Sequence, residues 1–155
     1  MRPLVIACGA MRAIIYGGLV VGVLDALDAI MFFGLRSGAT PLRIFQSIAS
    51  GWLGRASYQG GMRTAALGVF FHFAIAFAIV AVYYVASRRL PVLTGHPVIC
   101  GIGYGIVVYA VMNLVVVPLS NAGTSPFVLP VFLNGIAIHM VGVGLPSAWF
   151  ASRAQ

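Results

Sequence analysis

The chain has 155 residues, of which 61% are hydrophobic and only 7% charged, and its mean hydropathy is +1.06. A soluble domain carries about a quarter charged residues, so nine Arg and two Asp cannot solvate this surface; so apolar a chain is no disordered segment either. The formal charge of +7 comes from Arg at 2, 12, 36, 43, 55, 63, 88, 89 and 153, beside apolar stretches and not gathered in one basic patch. That distribution suits helix-flanking charges meeting anionic headgroups, so the partner it implies is the lipid bilayer and no nucleic acid.

Near the start, Val5-Ile6-Ala7-Cys8 faintly resembles a lipoprotein cleavage box, but too few apolar residues precede it to form a signal core. The first span is therefore expected to remain as an anchor. Two Cys make no disulfide framework. A membrane-spanning helix needs about 20 mostly apolar residues, and segments near 13–33, 64–87, 98–118 and 128–150 qualify. The predicted fold is an all-α integral membrane protein, residues 1–155 forming one four-helix transmembrane domain. Between the first two spans, Thr40-Pro41 is a good helix start. Leu42, Phe45, Ile48, Ala49 and Trp52 then recur at helical spacing, opposite Arg43, Gln46, Ser47 and Ser50. The pattern predicts a short amphipathic helix over about 40–53 lying in the interface. Pro118 suits the end of the third span. Pro146 either ends the fourth span or kinks it after Gly144. Tyr83, Tyr84, Trp52 and Trp149 fall near span boundaries, where amphipathic rings favour the interface.

The Arg distribution divides almost evenly between the two sides. The uncharged 119–127 connection and the Arg88-Arg89 pair tight against a span favour both termini in the cytoplasm.

An internal repeat is also visible. At an offset of 88, Tyr16-Gly17 matches Tyr104-Gly105 and Asp25 falls on Asn113; at an offset of 67, Gly68 and His72 match Gly135 and His139. Two helices used twice would be related by a pseudo-twofold axis along the membrane normal. At about 1.5 Å rise per residue, Asp25, Asp28 and His72 fall at similar depth, and Asn113, Asn134 and His139 repeat the arrangement, giving one polar layer.

Ionisable side chains at such depth face the bundle interior and need partners. Asp25 and Asp28, one turn apart, repel in a low dielectric, so the pair is expected to retain a proton. Three readings follow. The bland one is a hydrogen-bonded polar plug with a structural or interaction role. The second is a proton- or cation-coupled site for a small solute, with Asp25 as the charged group, His72 beside it, and Asn113 and His139 as neutral ligands opposite. The third is a b-type haem held between His72 and His139, since Gly68 and Gly135, four residues before each, would make room for a porphyrin. His96 falls in a connection. The spacings Gly18-x-x-x-Gly22 and Gly101-x-x-x-Gly105 allow close helix approach, inside the monomer first, with a homo-oligomer or a membrane partner protein as the alternative. No nucleophile, metal or phosphate-binding motif is present, and the chain reads as non-enzymatic, with no cofactor required.

The run Gly68-x-x-x-His72-Phe-x-Ile-Ala-Phe-Ala, followed by Tyr83 and Tyr84, resembles the bacterial YagU-like inner-membrane proteins, and Leu129-Pro130 followed by His139 is loosely similar to them. The resemblance implies a helical fold in the bacterial cytoplasmic membrane and no catalytic residues. The chain departs from that family in its shorter first connection and in the Asp25/Asp28 pair.

Overall fold

The computed structural model describes the backbone of residues 2–123 and 126–154, with side chains from residue 9 onward. The Cys8 side chain thus lies outside the described residues. Six helices follow one another: α1 (Arg2–Ser37), α2 (Pro41–Leu53), α3 (Gly61–Ser87), the single turn α4 (Val92–Gly95), α5 (Pro97–Leu119) and α6 (Leu129–Arg153). Four of them, α1, α3, α5 and α6, are long and apolar enough to cross a membrane. Their outward faces carry side chains such as Leu35, Ile99, Leu114 and Leu119, all at least 74% exposed, as lipid-facing residues should be. Gly38, at φ +66, supplies the left-handed residue that ends α1.

In a bilayer, helices associate through close packing rather than through the hydrophobic effect, and the glycines show where. Gly18 and Gly22 of α1 receive the rings of Phe77 and Phe73 of α3, while Gly105 of α5 lies against the His139 and Met140 backbone and Gly144 of α6 against Gly101. Both small-residue motifs are thereby used within the monomer. Ala13, Tyr83, Tyr84, Ala148 and Ala151 form one buried cluster, and Val21, Ala76, Val80, Val108 and Val143 the next. Tyr83 and Tyr84, expected at the interface, are core residues at 1% and 5% exposure. The Tyr83 hydroxyl donates to Leu93 O, and its ring meets Tyr104 edge-on; α4 folds back to bring that carbonyl within reach. Trp52 and Trp149 are exposed as expected.

Within α1, α5 and α6 this close packing is confined to the half of the bundle where α1 begins and α6 ends; in the other half it is α2 that packs closely on α3. Beyond Gly22, α1 has no buried residue, and neither have Met112–Leu119 of α5 or Leu129–Ile138 of α6. The change falls at a π turn in each helix, Met112–Val116 and His139–Gly144. Each π turn ends two residues before a proline, Pro118 and Pro146. A proline ring would clash with the carbonyl four residues back, and the wider turn relieves that conflict. Pro146 therefore reshapes the fourth span without ending it. The two halves matched at offsets 88 and 67 differ locally, since α1 and α3 are α-helical throughout while α5 and α6 each carry a π turn.

Helix α2 starts as the sequence suggests, with the Thr40 hydroxyl accepting from Arg43 N–H and Pro41 in the first turn. Its faces are another matter. Ile44, Gln46, Ala49 and Ser50 are buried, whereas Trp52 is 71% exposed. The helix lies across the first turns of α3, where Phe45 O touches Gly68 and Gln46 Nε2 donates to Gly61 O and Thr64 Oγ1. Gln46 is buried from the polar side because backbone and hydroxyl acceptors of α3 wait beneath it.

Candidate functional site: an intramembrane cavity

Where the helices part, they leave a partly open cavity of about 750 Å³. All six residues of the predicted polar layer line it: Asp25 and Asp28 from α1, His72 from α3, Asn113 from α5, Asn134 and His139 from α6. Apolar side chains including Phe32, Ile75, Ile79 and Val143 make up much of the remaining wall. The residues share this space but do not form one hydrogen-bonded network.

Asp28 is clasped. Its Oδ2 accepts from Asn134 Nδ2 at 2.7 Å, joining α1 to α6. Asp25 accepts no hydrogen bond from a described residue; its Oδ2 stands 4.0 Å from His72 Nδ1, close enough for charge but too far for a direct hydrogen bond. His72 Nε2 lies 2.8 Å from Gly22 O. A carbonyl only accepts, so Nε2 carries the proton and Nδ1 is the atom presented to Asp25. With both groups unprotonated there, lone pair faces carboxylate. One added proton, on Nδ1 or on the carboxyl, makes the contact attractive.

His139 is turned the other way. Its Nδ1 is 2.8 Å from Gly135 O, one helical turn back, so Nδ1 donates and neutral Nε2 is left as an acceptor. Gly135 also leaves room for the Tyr109 ring, which meets His139 edge-on at 5.3 Å. Asn113 Nδ2 donates to Tyr109 O, which leaves its amide oxygen unused. Asp25, Asn113 and His139 therefore contribute spare lone pairs to one cavity. Gly68 and Gly135 play unlike parts, one accommodating Phe45 O and the other an aromatic ring. A haem bound through both Nε2 atoms would require His72 to release Gly22 O. Among the described residues, no three His, Cys or carboxylate side chains gather closely enough to hold a metal ion.

Four further polar residues line the cavity that the sequence did not single out as site residues, among them Tyr109 of α5. Arg43 and Ser47 enter from α2, and Tyr58 from the 3₁₀ turn Gly54–Gln59 that follows it. The Arg43 guanidinium stacks on the Tyr58 ring at 4.2 Å. Sequence spacing put Arg43 and Ser47 on the solvated side of an interfacial helix. Both are exposed as that placement expects, and spacing alone carries no signal that they also line a cavity.

Comparison with family models, with curated proteins and with solved structures gives no match. The likeness to YagU-like proteins therefore rests on the residues that suggested it, and the molecule is, by its own features, a four-span helical membrane protein.

Proposed function

We propose that this membrane protein holds a small solute inside the bilayer and couples it to a proton or cation through Asp25. The observation that carries the reading is the cavity of about 750 Å³ shared by all six polar residues. A polar plug would spend its polar atoms on one another. Here only Asp28 and Asn134 do so, while Asp25, Asn113 and His139 keep lone pairs for something else. The volume falls within the roughly 300–1,000 Å³ of ligand pockets, and the mostly apolar wall with a few polar groups is their usual composition. The reading is non-enzymatic, since the Ser47 hydroxyl donates to Ile44 O on its own helix and not to a base. Haem fits less well because His72 Nε2 is engaged; a Soret band in purified protein, lost in His72→Ala, would reverse that ranking. We place the chain in the bacterial cytoplasmic membrane with both termini inside, on the Arg88-Arg89 pair and the YagU-like resemblance. An active periplasmic reporter fused after Gln155 would overturn that orientation.

The cavity reading is tested by chemical access. In a variant with Cys8 and Cys100 replaced by Ser, Asp25→Cys should react with a charged methanethiosulfonate reagent in membranes. Leu27→Cys, whose parent residue is 51% exposed toward lipid, should not react because lipid excludes the reagent. An unreactive Asp25→Cys, in protein shown to be folded, would contradict a solute-accessible cavity.

A further inference from the structure

The charges facing the cavity have both signs, yet they do not neutralise each other. Asp25 and Asp28 carry the negative charges, Asp28 held by the neutral Asn134 amide, and Arg43 the positive one. Among the described residues the only contact within ion-pair distance is Asp25 with His72, so Arg43 has no carboxylate partner and only the Tyr58 ring beneath it. Arg43 is exposed and Asp25 is partly buried, so a ligand reaching from one to the other would complement both charges. A second cavity of about 580 Å³ adjoins the first and shares Phe33, Ile48, Tyr58, Ile75 and Met112 with it. Beyond these, Trp52, Phe71 and Val116 keep its wall largely apolar.

Resting on the cavity reading above, we infer the class of ligand: a zwitterionic amphiphile with a primary ammonium, an anionic phosphate or carboxylate, and an apolar chain. The ammonium sits against Asp25, where Asn113 Oδ1 and His139 Nε2 are further acceptors for its three N–H groups. The anionic group faces the Arg43 guanidinium and the Tyr58 hydroxyl. The chain occupies the adjoining cavity. A quaternary ammonium offers no N–H to these acceptors, so the site selects an ethanolamine-type head over a choline-type one. Such a head is found on an aminophospholipid and on a free zwitterion alike.

Trp52 provides the readout because it lines the chain cavity, and Trp149→Phe leaves it the single tryptophan. The full-length protein is placed in phosphatidylcholine nanodiscs doped with a small fraction of brominated-chain phosphatidylethanolamine or brominated-chain phosphatidylcholine. Bulk lipid quenches Trp52 equally in both, so the excess reports the site. The ethanolamine lipid should bind roughly tenfold more tightly, the value of about one charge-assisted hydrogen bond. Asp25→Asn should reduce quenching by the ethanolamine lipid to the phosphatidylcholine level, whereas Arg43→Gln should weaken the excess quenching by both lipids and Arg43→Lys should restore much of it. Relief of quenching by added phosphoethanolamine identifies a free zwitterion as the source, and no relief identifies the lipid. Equal quenching by the two lipids in folded protein overturns the inference, as does a preference that survives Asp25→Asn. If the preference is absent while Asp25→Cys is still labelled, the cavity reading stands and only the ligand class falls. If labelling is absent, the cavity reading itself falls.

Discussion

The Asn134 amide donates to Asp28 Oδ2 at 2.7 Å and joins two helices 106 residues apart in sequence. It is the one side-chain hydrogen bond tying α1 to α6 among the described residues, and it fixes the half of the bundle where packing is open. Asn134→Ala leaves a carboxylate without its donor, and should cost about 1.5–3 kcal/mol. Asp28→Asn keeps an oxygen for Asn134 to donate to, and should cost less than about 1 kcal/mol. Unfolding in mixed micelles, followed by circular dichroism, checks the order of the two variants. Equal losses would show that the clasp is not what holds the helices there.

The α5–α6 crossing predicts a contrast between neighbouring glycines. A Cβ on Gly105 would overlap the His139 backbone, whereas one on Gly103 meets nothing within 4 Å. Gly105→Ala should therefore destabilise by about 1–3 kcal/mol or more, as overpacking does. Gly103→Ala should be neutral or slightly stabilising, since Ala is the better helix former. The same unfolding measurement separates them.

How much of this was readable in advance differs by element. Spans of 20 or more apolar residues are set by bilayer thickness alone, so all four were legible, as was the Thr40-Pro41 start of α2. The shared depth of Asp25, Asp28, His72, Asn113, Asn134 and His139 followed from helix rise. Their division into a clasp at Asp28 and an unpaired Asp25 did not, because rise fixes depth and leaves azimuth and rotamer open. Gln46 and Ser50 of α2 were placed on the exposed side for a related reason. Gln46 is buried by what α3 offers at Gly61 and Thr64, which no periodicity within 40–53 contains. Tyr83 and Tyr84 looked like interface residues until α4 folded back over them. The two π turns were half legible: Pro118 and Pro146 marked where a helix must yield, but not that it would continue past them.

Adjacent tyrosines give a third prediction. The Tyr83 hydroxyl donates to Leu93 O at 2.9 Å, while the buried Tyr84 hydroxyl has no partner among the described residues. Tyr83→Phe should lose about 1 kcal/mol, the net worth of an ordinary hydrogen bond. Tyr84→Phe should be neutral or stabilising by a similar amount, because it removes an unsatisfied buried hydroxyl. A shift of the thermal midpoint in opposite directions for the two variants would confirm the contrast; a larger loss at Tyr84 would contradict it.

The central claim is that Asp25, standing 4.0 Å from His72 Nδ1 and lining the cavity, carries the proton or cation coupling. Its most direct test is proton flux in liposomes under an imposed pH gradient, read with an entrapped pH-sensitive dye. The parent protein should dissipate the gradient faster than empty liposomes. Asp25→Asn, which keeps the shape and removes the charge, should fall to the empty-liposome rate while remaining folded, and Asp28→Asn should keep most of the flux. A parent no faster than empty liposomes, or an Asp25→Asn variant as fast as the parent, would contradict the account.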